Sequence, residues 1–114
     1  PAFKEQRMSI KVNWPASDGS THEFTVFPPD TSWNVVGGIY IFSSALSATQ
    51  WQAIYIGQTH SFQERLADHP QWRPAMRLGA THIHALVLGN EPDRLRLERL
   101  LIERCQPKLN QQFK

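Results

Sequence analysis

Residues 36–57 read VGGIYIFSSALSATQWQAIYIG. Two apolar runs, 36–43 and 51–57, flank the small, polar stretch SSALSATQ. Isoleucine, tyrosine, phenylalanine and tryptophan fit a pleated surface, so each run predicts a strand. The joining stretch predicts an antiparallel hairpin with a loose loop. The second strand repeats the chemistry of the first: Gly38-Ile39-Tyr40 on one, Tyr55-Ile56-Gly57 on the other. Paired strands would project both tyrosines on one face. A phenol with an ordinary pKa near ~10 is a poor base. A hydrogen-bonded pair beside a cation can be lowered enough to accept a proton. The same residues are also ordinary strand formers, so the triplets alone read equally well as packing.

On the C-terminal side, Gly57 ends the strand. Thr59 or Ser61 can cap a helix over 61–69 (SFQERLADH), with Phe62 and Leu66 as its apolar pair. Arg65 and His69, four apart, share one face. A guanidinium there can hold a phosphate oxygen and stabilise developing negative charge. A surface arginine and a surface histidine are the plain alternative. Pro70 and Pro74 bracket an irregular or short helical piece. Residues 81–88 (THIHALVL) predict another strand. Asn90, Pro92 and Asp93 mark a helix start, and that helix runs to about Cys105 with Leu97, Leu100, Leu101 and Ile102 inward. Pro107 stops it.

Glu98 lies mid-way along this helix, on the edge of its apolar face. One carboxylate with waters and phosphate oxygens is a usual Mg²⁺ arrangement. Glu103 lies about 140° around the helix and reads as solvated.

On the N-terminal side, 8–14 (MSIKVNW) and 22–27 (HEFTVF) alternate around turn chemistry at 15–20, predicting a second hairpin. Pro28-Pro29-Asp30 marks a seam. The element order β-β-β-β-α-β-α predicts an α+β fold: a small central sheet with helices beside it and an added N-terminal hairpin. Residues 1–35 read as an N-terminal extension of the same domain and 36–114 as the domain proper.

Length and composition set the frame. A chain of 114 residues has room for one domain with a real core. It is 40% hydrophobic and 19% charged, which argues against a wholly disordered chain. The net charge is +2, but unevenly spread. Residues 1–57 carry three basic and four acidic residues; 58–114 carry nine and six, and seven of the nine are arginine. Arginine suits bidentate phosphate binding. Cys105 is the only cysteine, so no intrachain disulfide forms. With no apolar run near the ~18–20 residues of a membrane span and no signal-peptide core, the expected address is the reducing cytoplasm, away from membranes.

Taken together, Gly38-Ile39-Tyr40, Tyr55-Ile56-Gly57, Arg65-Leu66-x-x-His69 and Glu98-x-x-x-Ile102-x-x-x-x-Pro107-x-Leu109-Asn110 resemble the GIY-YIG nuclease superfamily over about residues 36–112. The resemblance implies an endonuclease that hydrolyses nucleic-acid phosphodiesters, DNA favoured over RNA, with one divalent cation, Mg²⁺ or Mn²⁺. It implies Tyr40 as general base, Tyr55 as its partner orienting water and phosphate, and Arg65 on the scissile phosphate with His69 in support. Glu98 would be the metal ligand. Asn110 would tie the C-terminal segment to the site. Gly38 and Gly57 would keep the strand ends clear of side chains near the substrate. Fourteen residues separate Tyr40 from Tyr55, somewhat long for the superfamily. A catalytically silent nucleic-acid-binding or interaction module on the same scaffold is the alternative function.

Three further features bear on function. Trp72, Arg73 and Arg77 can contact nucleic acid, although Trp72 reads first as a core plug. His82 and His84 share a strand face but lack a third metal ligand, so they read as surface or packing residues. The chain has no room for a targeting domain, so specificity must come from the hairpin and loops, a partner protein or a homodimer.

Overall fold

The computed structural model describes residues 9–111. Five strands form one antiparallel sheet: β1 (Lys11–Pro15), β2 (Thr21–Phe27), β3 (Gly38–Ala45), β4 (Trp51–Thr59) and β5 (His82–Val87). Helices α1 (Phe62–Leu66) and α2 (Trp72–Arg77) lie between β4 and β5, and α3 (Glu91–Cys105) and α4 (Lys108–Gln111) follow β5. The α+β expectation holds. Met8, expected to open the first strand, lies outside the described residues, as does Gln112, where the family resemblance ends.

The strand order is β1-β2-β5-β3-β4. The β3–β4 hairpin forms as expected, with Tyr40 opposite Gly57 and Phe42 opposite Tyr55. Its register shifts between Phe42 and Ser43, leaving Ile54 as the extra residue. Bulges of this kind bend a strand and re-aim its side chains. The N-terminal hairpin joins the same sheet because β2 pairs with β5. Its turn uses Gly19 at φ +89°, and Asp18 accepts from the Ser20 amide and hydroxyl.

Alternation along the strands gives the sheet two apolar faces. Trp14, Phe24, Ile39, Ile41 and Ile56 pack on Leu97 and Leu101 of α3. Tyr40, Phe42, Ile54 and Ile83 pack with Phe62, Ala75 and Leu109 on the other side. Helix α3 starts as read, with the Asn90 side chain accepting from the Asp93 amide at 3.0 Å. It ends at Gln106, in the left-handed region at φ 49°, just before Pro107. The helix expected over 61–69 is cut to 62–66: Ser61 caps it by accepting from the Glu64 amide, while the Thr59 hydroxyl is engaged with the Ser61 backbone. The piece between the prolines is α2, and Pro74 sits in its first turn, where no backbone donor is required. No helix among the described residues is long and apolar enough to cross a membrane.

Candidate active site

Tyr40 and Tyr55 stand on one face of the β3–β4 hairpin as diagonal neighbours, ring centroids 6.3 Å apart. Tyr40 is 1% exposed, and Tyr55 is half-buried. The Tyr40 ring lies across Gly57, where a Cβ would run into its hydroxyl end. A Cβ on Gly38 would run into the Leu86 carbonyl and the Phe62 ring. The two glycines therefore make room for the catalytic candidate and for strand contact.

His69 is buried at 6% exposure, in the segment joining α1 to α2. Its Nδ1 accepts from the Gln71 amide at 3.0 Å. In a neutral imidazole the proton must then sit on Nε2. Nε2 lies 2.7 Å from the Tyr40 hydroxyl oxygen, so His69 donates and Tyr40 accepts. Burial, reinforced by the nearby Arg65 charge, pushes the imidazole down to about 4. His69 is thus a neutral donor at neutral pH and has no lone pair free to take the Tyr40 proton. The surface alternative for His69 does not hold, and its hydrogen-bond partner is the phenol.

Arg65 is exposed at the end of α1, with its guanidinium against the phenols. A hydrogen bond to Tyr40 is the largest influence raising its already high pKa. The sequence expectation of a lowered phenol pKa is not met in the resting protein. Burial pushes Tyr40 well above its ordinary value and outweighs the opposing hydrogen bond from Arg65. Tyr55 is raised by burial too. Desolvation disfavours the charged form of any phenol, and one exposed guanidinium does not cancel it.

Glu98 reaches the same place from α3. Its carboxylate acts electrostatically on both phenols. It is half-buried, and burial raises its pKa against a hydrogen bond from the Gln58 amide. Among the described residues it makes no ion pair. Glu103 is exposed and accepts from Ser17 at 2.7 Å, away from the phenols, as read from its angle on the helix. Asn110 meets the outer edge of β4. Its Oδ1 accepts from the Ile56 amide at 2.8 Å and its Nδ2 donates to the Ile56 carbonyl at 2.9 Å. One side chain thereby makes both bonds of a strand pair.

The remaining candidates separate. Trp72 packs edge-on against Phe42 at 5.0 Å and is half-buried, whereas Arg73 and Arg77 are exposed. His84 is fully buried on the opposite face, where Nδ1 accepts from Trp14 at 2.9 Å and Nε2 donates to Ser43 at 2.7 Å. Burial pushes its pKa down to about 3, so it is a neutral packing residue. No group of three or more histidine, cysteine or acidic side chains among the described residues could hold a metal. Cys105 is half-buried, and burial raises its thiol pKa.

One buried residue near the site was not singled out from sequence. Arg94 is 4% exposed, and its guanidinium donates to the Leu88 and Gly89 carbonyls and to Gln58 Oε1. Its position three before Leu97 and seven before Leu101 was the available signal, because that spacing shares the inward stripe of a helix.

No family model and no curated protein matches the sequence. Among solved structures, the chain is similar to the GIY-YIG N-terminal endonuclease domain of UvrC from Thermotoga maritima, crystallised with its catalytic divalent cation, magnesium. The TM-score is 0.54 at 29% identity, over 67% of this chain and 84% of that one. With the antiparallel sheet, the flanking helices and the paired tyrosines in place, this similarity gives the chain a GIY-YIG-like fold.

Proposed function

We propose that the protein is a metal-dependent endonuclease that hydrolyses phosphodiester bonds of nucleic acid, DNA in the first instance. The observation that carries this reading is the convergence of Arg65 and Glu98, from two different helices, on the Tyr40–Tyr55 pair. The likeness to an endonuclease domain supports a nuclease-like function from outside the chain.

A half-buried carboxylate with no ion-pair partner fits a cation that keeps most of its waters. Glu98 would be its protein ligand. When bound, Mg²⁺ or Mn²⁺ supplies positive charge that polarises a phosphate oxygen and favours ionised neighbours. The chain's own residues do the rest. Arg65, exposed beside the phenols, binds the non-bridging oxygens and stabilises the charge that grows on them. Tyr40 accepts the proton of the attacking water once ionised. Its phenolate is held by the donor hydrogen of His69 Nε2 and by Arg65. His69 therefore supports the base directly and the phosphate only through it. Tyr55, half-buried beside them, orients the water.

The second reading, a silent nucleic-acid-binding module, draws on one observation: Tyr40 is deeply buried and its phenol is harder to ionise than in water. Cleavage assays separate the two. The native protein with Mg²⁺ or Mn²⁺ should nick DNA, and EDTA or Glu98→Ala should abolish nicking. Tyr40→Phe removes only the hydroxyl, so binding should persist while turnover drops about 10²- to 10⁴-fold. Equal nicking by the native protein and Glu98→Ala would remove Glu98 from its role. Silence of the native protein on single-stranded, duplex and branched DNA and on RNA would point to the binding module.

A further inference from the structure

A groove of about 510 Å³ opens beside the phenols, between the α1–α2 connection and the sheet. Phe42 and Ile83 form its floor, Trp72 a wall, and Asp68 and Arg73 its polar rim. His69 is shared: it lines the groove, and its Nε2 is 2.7 Å from the Tyr40 hydroxyl. The groove therefore begins one imidazole ring away from the proposed base.

From this geometry we infer that the groove takes one unpaired nucleobase of the substrate strand, next to the bond that is cut. The inference rests on the nuclease reading for the position of the cut, but not for the binding of the base.

The chemistry selects the occupant. The half-buried Trp72 ring on the wall, backed by the buried Phe42, suits the π-face of a base, and base–aromatic stacking tolerates any sequence. Asp68 is exposed at the rim and makes no ion pair among the described residues. A carboxylate there repels a phosphate. It accepts well from the exocyclic amino groups of cytosine, adenine or guanine, which thymine lacks. Arg73 on the same rim, with Arg77 one helical turn further along α2, supplies positive charge for the flanking phosphates. A base inside a duplex is stacked and must be extruded at a cost of a few kcal/mol, least at a mismatch, bulge or single strand. The substrate class is therefore nucleic acid with at least one unpaired nucleotide beside the cleaved bond.

Binding is measured first, in EDTA, by anisotropy of labelled single-stranded DNA of equal length. The strands are oligo(dC), oligo(dA), oligo(dT) and a chain of abasic tetrahydrofuran units. The native protein should bind the abasic chain about tenfold or more weakly than oligo(dC). Oligo(dT) should fall between them. Asp68→Asn, an exposed change that leaves the core alone, should erase the dC-over-dT preference. Trp72→Phe, which keeps a ring against Phe42, should weaken base-bearing strands and leave the abasic chain unchanged. Cleavage is then measured with Mg²⁺ on a perfect duplex, a duplex with a one-nucleotide bulge, and a single strand. Faster cutting beside unpaired nucleotides is expected, and the bulge and single-strand arms show which source the groove accepts. Equal binding of abasic and base-bearing chains overturns the groove assignment. Equal cutting of the perfect and bulged duplexes also overturns it, while the nuclease reading stands. Base-dependent binding without cleavage of any substrate sustains the groove and sinks the nuclease reading.

Discussion

Tyr40 shows how much one residue's surroundings decide. Its hydroxyl oxygen accepts a hydrogen from His69, and Arg65 lies against it. Its ring occupies the space that any side chain at position 57 would need. Gly57→Ala should therefore displace the phenol. The expected cost is about 1–3 kcal/mol of stability, typical of overpacking, together with a fall in any metal-dependent cleavage. Gly89→Ala is the matched control, since nothing lies within 4 Å of its added Cβ. Urea unfolding of both variants reads the difference. The tyrosines and their alternation were legible in the sequence. The His69 bond was not, because 29 residues separate the partners and the chain between them runs through the β3–β4 loop, β4 and α1.

At the scale of elements, β4 is an edge strand, and its outer side is read by two helices. Asn110 of α4 pairs with Ile56, and Glu98 of α3 lies near the Gln58 amide two residues further on, which holds its pKa down against the effect of burial. Free strand edges are a liability that folds usually cover. Here the cover carries the site's carboxylate. Asn110→Ala should remove both bonds to Ile56, at about 0.5–1.5 kcal/mol each, and lower the denaturant midpoint accordingly. Faster amide exchange at Ile56 than at Ile41, its partner inside the sheet, would localise the effect. An unchanged midpoint would mean that Leu109, fully packed next door, holds α4 unaided. The start of α3 was legible from Asn90, Pro92 and Asp93, because capping is local chemistry. The shortening of α1 was not, because the residues after Leu66 are claimed by the buried contacts of His69.

Across the whole molecule, the sheet keeps a neutral buried histidine on each face. Burial pushes His69 down to about 4 and His84 down to about 3, both below the unfolded value near ~6.5. Between those values the unfolded chain binds more protons than the native one, so stability rises with pH there. The contribution is complete above about pH 6.5 and is lost progressively as the pH falls toward 4 and then 3. The melting temperature should therefore drop on acidification across that window. His84→Gln should flatten the drop while lowering stability at pH 7, since it disturbs the Trp14 and Ser43 bonds. A melting temperature level from pH 7 to pH 4 would show that neither ring is held neutral.

Sequence alone determined what depends on neighbours along the chain. Alternation set the β3–β4 hairpin and its two tyrosines on one face. The caps and prolines set where α3 begins and ends. The four short motifs marked the residues that the fold later gathers. Tertiary structure decided what depends on contacts between distant segments. It placed β5 between β2 and β3, which draws the N-terminal hairpin into the sheet. It also buried Arg94, turned His69 onto Tyr40, and raised the phenol that the sequence expected to be lowered. The physical reason is common to these cases. Burial, and the hydrogen bonds made under it, belong to a three-dimensional neighbourhood, and desolvation at Tyr40 outweighs the one cation that the motif supplies.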